Sequence, residues 1–203
     1  APEVHPVNNL DENQKPSRAT HDPFPSTAQP GVVWLAGLGN GSVIAVDTKN
    51  PDFATRMKEW RIPHPENINV GSHGMIELNG KAYTVGVGDD ALNEFDPKTG
   101  QFNRYAAPLR GAGAHTLRAD SKGNIWFSTV YGGARMHRWD AKTKKVTEYD
   151  PVKGANWYGI AVDKKDRVFA ASYTTYNVAM FDPKTEKWTV FPTAGPHRRL
   201  GVD

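Results

Sequence analysis

Three histidines and a tyrosine stand at corresponding places along a chain of 203 residues: His73 before Gly-Met-Ile, His115 before Thr-Leu-Arg, Tyr158 before Gly-Ile-Ala, and His197 just before Arg-Arg-Leu-Gly-Val. An imidazole titrates near pH 6.5 and can take up a proton at neutral pH, so such a set could supply a general base. The neutral rings could equally hold a divalent metal through nitrogen. Arg198, with Arg199 and Arg110, would favour a ligand bearing a carboxylate or phosphate. Trp157 and Tyr158 follow Gly154-Ala-Asn, where an exposed aromatic pair would suit a flat apolar molecule. His73, His115 and His197 are therefore the candidate catalytic residues, and Trp157, Tyr158 and Arg198 the candidate ligand-binding ones. The plainer alternative is that each histidine caps a strand by bonding a neighbouring carbonyl and the arginines are solvated loop charges. The residues by themselves define no metal site.

These residues need elements to carry them, and the chain repeats one element set. Residues 115–119, 125–129, 135–139 and 145–149 read as four short strands rich in aromatic and β-branched residues, separated by turn chemistry such as Ser121-Lys-Gly-Asn. The second strand recurs as Val33-Trp-Leu-Ala, Ala82-Tyr-Thr-Val, Ile125-Trp-Phe-Ser and Val168-Phe-Ala-Ala. The third closes on Val46-Asp47, Phe95-Asp96, Trp139-Asp140 and Phe181-Asp182. A period of about 40–45 residues with four strands per unit is the signature of a β-propeller blade. The expected fold is thus all-β, a propeller of four-stranded blades with about four repeats. First strands line the central channel of such a fold, which would bring the histidines to one mouth. The aromatics of the second and third strands (Trp34, Tyr83, Trp126, Trp139, Phe169 and Phe181) are expected in the packing between blades. The four aspartates are expected to accept backbone hydrogens in the turns that follow them.

Composition narrows the function classes. Hydrophobic residues make up 38% and there are 19 glycines and 15 prolines, which suits many short strands and turns. The net charge of +3 is small and the lysines are spread over turns, so no nucleic-acid partner is expected. No stretch has the length of a membrane span. The absence of cysteine removes disulfides, thiolate catalysis and cysteine zinc sites together. The chain opens Ala1-Pro-Glu without Met, which is read as a processed periplasmic or secreted protein; a trimmed chain would open in the same way.

The domain reading is a Pro-rich extended arm over 1–30, then blades over 31–70, 71–113, 114–156 and 157–196, with 197–203 a single strand. His5 and His21 fall in the arm and are read as solvated. The first repeat lacks an opening strand and the last one is surplus. Either the two termini share one blade and close a four-bladed ring, or the repeats belong to a larger ring.

The strings His115-Thr-Leu, Asp120-Ser-Lys-Gly-Asn-Ile-Trp126-Phe127, Phe95-Asp96-Pro97-Lys98-Thr99-Gly100-Gln-Phe102 and Val146-Thr-Glu-Tyr149 resemble the repeat of the streptogramin B lyase family over residues 31–203. That resemblance implies a seven-bladed propeller and opening of a cyclic depsipeptide lactone by elimination, with a histidine base and a magnesium ion held by glutamates. Around a first-strand histidine the family places one Glu two residues earlier and another at the end of the second strand. Here Gly113 and Thr129 stand at those places for His115, Gly71 and Gly86 for His73, and Gly195 before His197; Gly37 and Ser172 end the other second strands. The resemblance thus carries the fold and the histidine placement without the metal ligands, and a divalent metal such as magnesium is implied by family likeness alone. The expected function is small-molecule binding or lyase chemistry of the carbon–oxygen type at the channel mouth. The alternatives are a non-catalytic binding or assembly propeller that receives a protein partner or another copy along an open blade edge, or part of a larger propeller protein.

Overall fold

The computed structural model describes residues 5–6, 19–52, 54–131 and 133–202, and among these it contains strands and no α-helix. Four antiparallel sheets follow one another along the chain. Blade I is built from β2 (Thr20–Pro25), β3 (Val32–Gly37), β4 (Ser42–Asp47) and β5 (Met57–Arg61), with the two-residue β1 (His5–Pro6) paired to the outer side of β5. Blade II comprises β6 (Ser72–Leu78), β7 (Lys81–Gly86), β8 (Asp89–Asp96) and β9 (Gln101–Ala106). Blade III comprises β10 (Ala114–Ala119), β11 (Ile125–Thr129), β12 (Met136–Trp139) and β13 (Val146–Tyr149). Blade IV comprises β14 (Trp157–Val162), β15 (Val168–Ser172), β16 (Asn177–Asp182) and β17 (Lys187–Pro192). The fold is a β-propeller of four-stranded blades, each a simple up-and-down meander. The chain divides into two compact units, residues 1–104 and 105–203, so that blades I and II occupy the first and III and IV the second, with the boundary inside β9.

The turns behave as their chemistry dictates. Asp47, Asp96, Asp140 and Asp182 each accept, through Oδ1, the backbone N–H two residues on, at 2.9–3.0 Å. An Asx turn therefore closes the third strand of every blade. Trp34, Trp126, Trp139 and Phe181 are each no more than 2% exposed, as expected of inter-blade packing. Phe169 departs from that expectation: it is only half-buried, and the Arg167 guanidinium lies 5.6 Å from its ring centroid.

Two expectations at the ends are corrected. Blade I does have an opening strand, because β2 pairs with β3 through Thr20↔Gly37, His21↔Ala36, Phe24↔Trp34 and Pro25↔Val33. Residues 20–30 thus belong to the blade rather than to an arm; residues 7–18 lie outside the described ones. Prolines hid this strand. Pro23 falls in a bulge beside Asp22, whose φ of 40° is left-handed, and Pro25 ends the strand; an inner strand can lack N–H groups because it pairs on one side only. The segment after β17 is irregular through residue 202, so the surplus strand over 197–203 is not formed. Among the described residues the sheet of blade I is built from β1 to β5 alone.

Candidate functional site

Each inner strand is interrupted near its first residue. The first residue of the strand pairs with the last residue of its neighbour: Thr20 with Gly37, Ser72 with Gly86, Ala114 with Thr129, Trp157 with Ser172. In blades II, III and IV the register then slips in a β-bulge, whereas in blade I His21 still pairs with Ala36 and the slip follows it, between His21 and Phe24. The second residues of these strands are His21, His73, His115 and Tyr158. A bulge frees a side chain from strict alternation and re-aims it.

In the first unit the rings of His21 and His73 lie face to face, with centroids 3.7 Å apart and planes inclined by 30°. His73 is buried, and His21 Nδ1 stands 3.5 Å from Asp22 Oδ1. His21 was missed by sequence reasoning. Its signal was the position just ahead of Phe24 and Trp34, obscured because the bulged Asp22-Pro23 lengthens the interval to the second strand.

In the second unit the His115 and Tyr158 ring centroids are 4.1 Å apart. His115 Nδ1 lies 2.9 Å from Thr116 Oγ1, and that hydroxyl donates to the Tyr158 carbonyl at 2.8 Å. A hydroxyl has one proton. Since it is spent on the carbonyl, the imidazole must donate through Nδ1, and the neutral ring keeps its lone pair on Nε2. This tautomer is the one a general base or a ligand acceptor at Nε2 requires. Beyond Tyr158, the ring of Tyr173 lies 6.2 Å away, and the Arg198 guanidinium sits 5.5 Å from the Tyr158 centroid and 4.6 Å from that of Tyr173. Arg198 Nη2 donates to the Tyr173 hydroxyl at 3.1 Å. That hydrogen bond, with attraction to the Tyr173 and Tyr158 oxygens, holds the guanidinium above its ordinary pKa against a small desolvation effect. Tyr158, Tyr173 and exposed Arg198 thus present aromatic faces and a fixed cation, with the oriented imidazole of buried His115 against Tyr158.

Four candidates fare differently. Trp157, expected at the surface, is fully buried in the core of blades III and IV, which removes it from a ligand-contacting set. The bulge explains this: Trp157 is in register opposite Ser172 and points inward, and Tyr158 is displaced outward. His197 lies in the irregular segment after β17, half-buried, with its N–H 3.5 Å from the Ser172 carbonyl. It is no inner-strand residue; the fourth residue at the second position of an inner strand is His21. Arg110 and Arg199 are exposed.

The remaining acids and histidines have structural partners. His137 is fully buried, stacked on Phe127 at 4.8 Å and 3.3 Å from Glu148. Buried Asp89 accepts from Arg104 Nη2 at 2.5 Å and from Asn93 at 3.1 Å, with His64 Nε2 3.6 Å away. Glu77 on β6 is held by Ser26, Thr27, Ala28 and Trp34 at 2.5–3.0 Å. Burial pushes its pKa up, but the hydrogen bonds from Ser26, Trp34, Thr27 and Ala28 outweigh this and keep the carboxyl below its usual range. Among the described residues no group of three or more His, Asp or Glu side chains is arranged to hold a metal ion, so the bulge residues do not fit the magnesium site of the resemblance.

No protein-family model matches the chain, and no curated protein matches it in sequence. Solved structures do match. A streptogramin B lyase structure superposes with a TM-score of 0.74 at 20% identity, covering 88% of this chain and 56% of the other. A catalytically inactive virginiamycin B lyase from Staphylococcus aureus, solved with quinupristin, gives 0.75 at 16%, covering 92% and 62%. The extracellular domain of a hybrid two-component system of B. thetaiotaomicron gives 0.72 at 17%, covering 91% and 25%. The chain therefore spans about three fifths of the lyases it resembles. At these identities the likeness establishes the propeller fold, and the neighbours include proteins that are not lyases.

Proposed function

We propose that this propeller binds a small molecule at the bulged ends of its inner strands, with His115, Tyr158, Tyr173 and Arg198 as the contact set. The observation that carries the reading is the geometry of the second unit: a guanidinium beside two tyrosine faces, next to an imidazole whose tautomer is fixed by Thr116. Such a cluster suits a molecule with a flat apolar part and an oxygen acceptor for Arg198. Placement outside the cytoplasm belongs to the same proposal, supported by the likeness to an extracellular domain; among the described residues no helix is long and apolar enough to cross a membrane.

A second reading, elimination of a lactone ring with His115 Nε2 as base, is supported by that tautomer. One experiment tests both. Titration of a streptogramin B-type depsipeptide lactone by calorimetry should give saturable binding, weakened about fivefold to tenfold by Arg198→Ala or Tyr158→Ala. Absence of binding, or binding indifferent to both substitutions, would sink the binding proposal. Mass spectrometry of the incubated lactone separates the readings: a ring-opened product lost in His115→Ala establishes turnover, whereas intact lactone leaves a binding protein.

A further inference from the structure

At the other end of the strands, blades I and II enclose a cavity of about 810 Å³. Its floor is aromatic: Trp34 on β3 and Trp60 on β5, with Ala45 of β4 beside them. Its rim carries Lys58, Lys98, Arg56 and Asp47, so cations outnumber the acid. Neither Lys58 nor Lys98 has an ion-pair partner among the described residues.

Blades III and IV show what this place looks like when it is filled. Trp126 stands there in the register of Trp34, with Phe181 beside it, but the space is only about 100 Å³. The register identifies the plug. Opposite Trp126 on the neighbouring strand stands Arg138, whose guanidinium lies 5.9 Å from the indole centroid; opposite Trp34 stands Ala45. A second difference falls at the same spot. The connection from third to fourth strand runs over residues 97–100, 140–145 and 183–186 in three blades, but over 48–56 in blade I, where Asn50, Thr55 and Arg56 extend the cavity wall. The small residue and the long connection are independent departures from the repeat, and both enlarge one volume.

We propose that this cavity is a binding site for a planar aromatic anion, a ring carrying a carboxylate or comparable group. The ring takes the space beside Ala45 that the Arg138 side chain takes in blade III, and Lys58 and Lys98 meet the charge. The volume is that of a typical small-molecule site. Because the charged partners belong to the rim, selection is for an anion over its neutral analogue. The site involves none of the bulge residues, so it stands or falls independently of the proposal above.

The test is calorimetric titration of the full chain with 2-naphthoate, and with 2-naphthamide as its uncharged counterpart. Wild type should bind naphthoate saturably and naphthamide more weakly. Ala45→Arg rebuilds the plug of blade III and should weaken naphthoate at least about tenfold. The exposed double substitution Lys58→Ala/Lys98→Ala should weaken naphthoate about fivefold and leave naphthamide unchanged, which keeps the test decisive even if Ala45→Arg fails to fold. The same titrations repeated in the Arg198→Ala background separate this site from the cluster at the inner-strand ends. The proposal is overturned by absence of saturable binding in the Arg198→Ala background, by undiminished binding there in Ala45→Arg or in the double lysine variant, or by equal affinity for the amide.

Discussion

Blades I–II and blades III–IV meet the same packing demand with different means. Both pairs use four aromatics in equivalent register: Trp34, Trp60, Phe95 and Phe102 in the first, Trp126, Tyr149, Phe181 and Trp188 in the second. Around that shared core the polar groups diverge. In the first pair the indole N–H of Trp34 goes to Glu77, a buried carboxylate that also ties down residues 26–28. In the second, Trp126 Nε1 donates to Asp120 of its own preceding turn at 3.2 Å, and the place of Glu77 is taken by apolar Val162. The blades are then linked at the surface, where Ser121 donates to Asp166 through its N–H and its hydroxyl. The repeat fixes which positions are aromatic. It leaves open whether the space beside them is filled by an arginine, latched by a buried acid, or kept empty.

The largest effect should come from the common core. Trp126→Ala should cost about 3–5 kcal/mol, read from denaturant unfolding, because its ring contacts Phe181, Tyr149 and Trp188 together. A cost below about 1 kcal/mol would show that the aromatic set is not a shared core. Next comes the latch. Glu77→Val installs the residue of the other pair but orphans the donors of Ser26, Thr27, Ala28 and Trp34, at a cost of about 2–4 kcal/mol. This cost should depend on pH in a definite sense. The Glu77 carboxyl has a folded-state pKa below its ordinary value of 4.5. Its stabilisation is therefore fully present above about that pH and fades as pH falls through the lower folded-state value. The stability gap between wild type and Glu77→Val should narrow on acidification; a gap constant from neutral pH down to pH 2 would contradict the latch. The smallest effect should be that of Arg138→Ala, half-exposed and paired with Asp140, at under about 1 kcal/mol. A larger loss would mean that the arginine is structural in blades III–IV and that the open cavity of blades I–II has been compensated elsewhere.

What could be read from the sequence was whatever is local. The strands of blade III, the Asx turns and the buried Trp34, Trp126, Trp139 and Phe181 follow from alternation and turn chemistry inside one repeat. What could not be read depends on bulges and on distant partners. Strand β2 was masked by Pro23 and Pro25 and by the extra residues ahead of Trp34, and with it went His21. The surface position assigned to Trp157 belongs to Tyr158, since a slip of one residue exchanges the two faces of a strand. Glu77 gave no signal because its partners, residues 26–28, lie in a stretch whose composition reads as an arm. The cavity beside Trp34 shows only when Ala45 and Arg138 are set in register.

The proposed function rests on the bulges presenting an oriented imidazole beside Tyr158 and Arg198. The most direct measurement is a nitrogen-15 NMR spectrum of the histidine side chains at a pH where the rings are neutral, before and after addition of the depsipeptide lactone. His115 should appear as the Nδ1–H tautomer with Nε2 unprotonated, and the lactone should shift its resonances while those of His64 and buried His137 stay in place. An Nε2–H tautomer at His115, or a lactone that leaves His115 unmoved, would contradict the placement of the site at the inner-strand bulges.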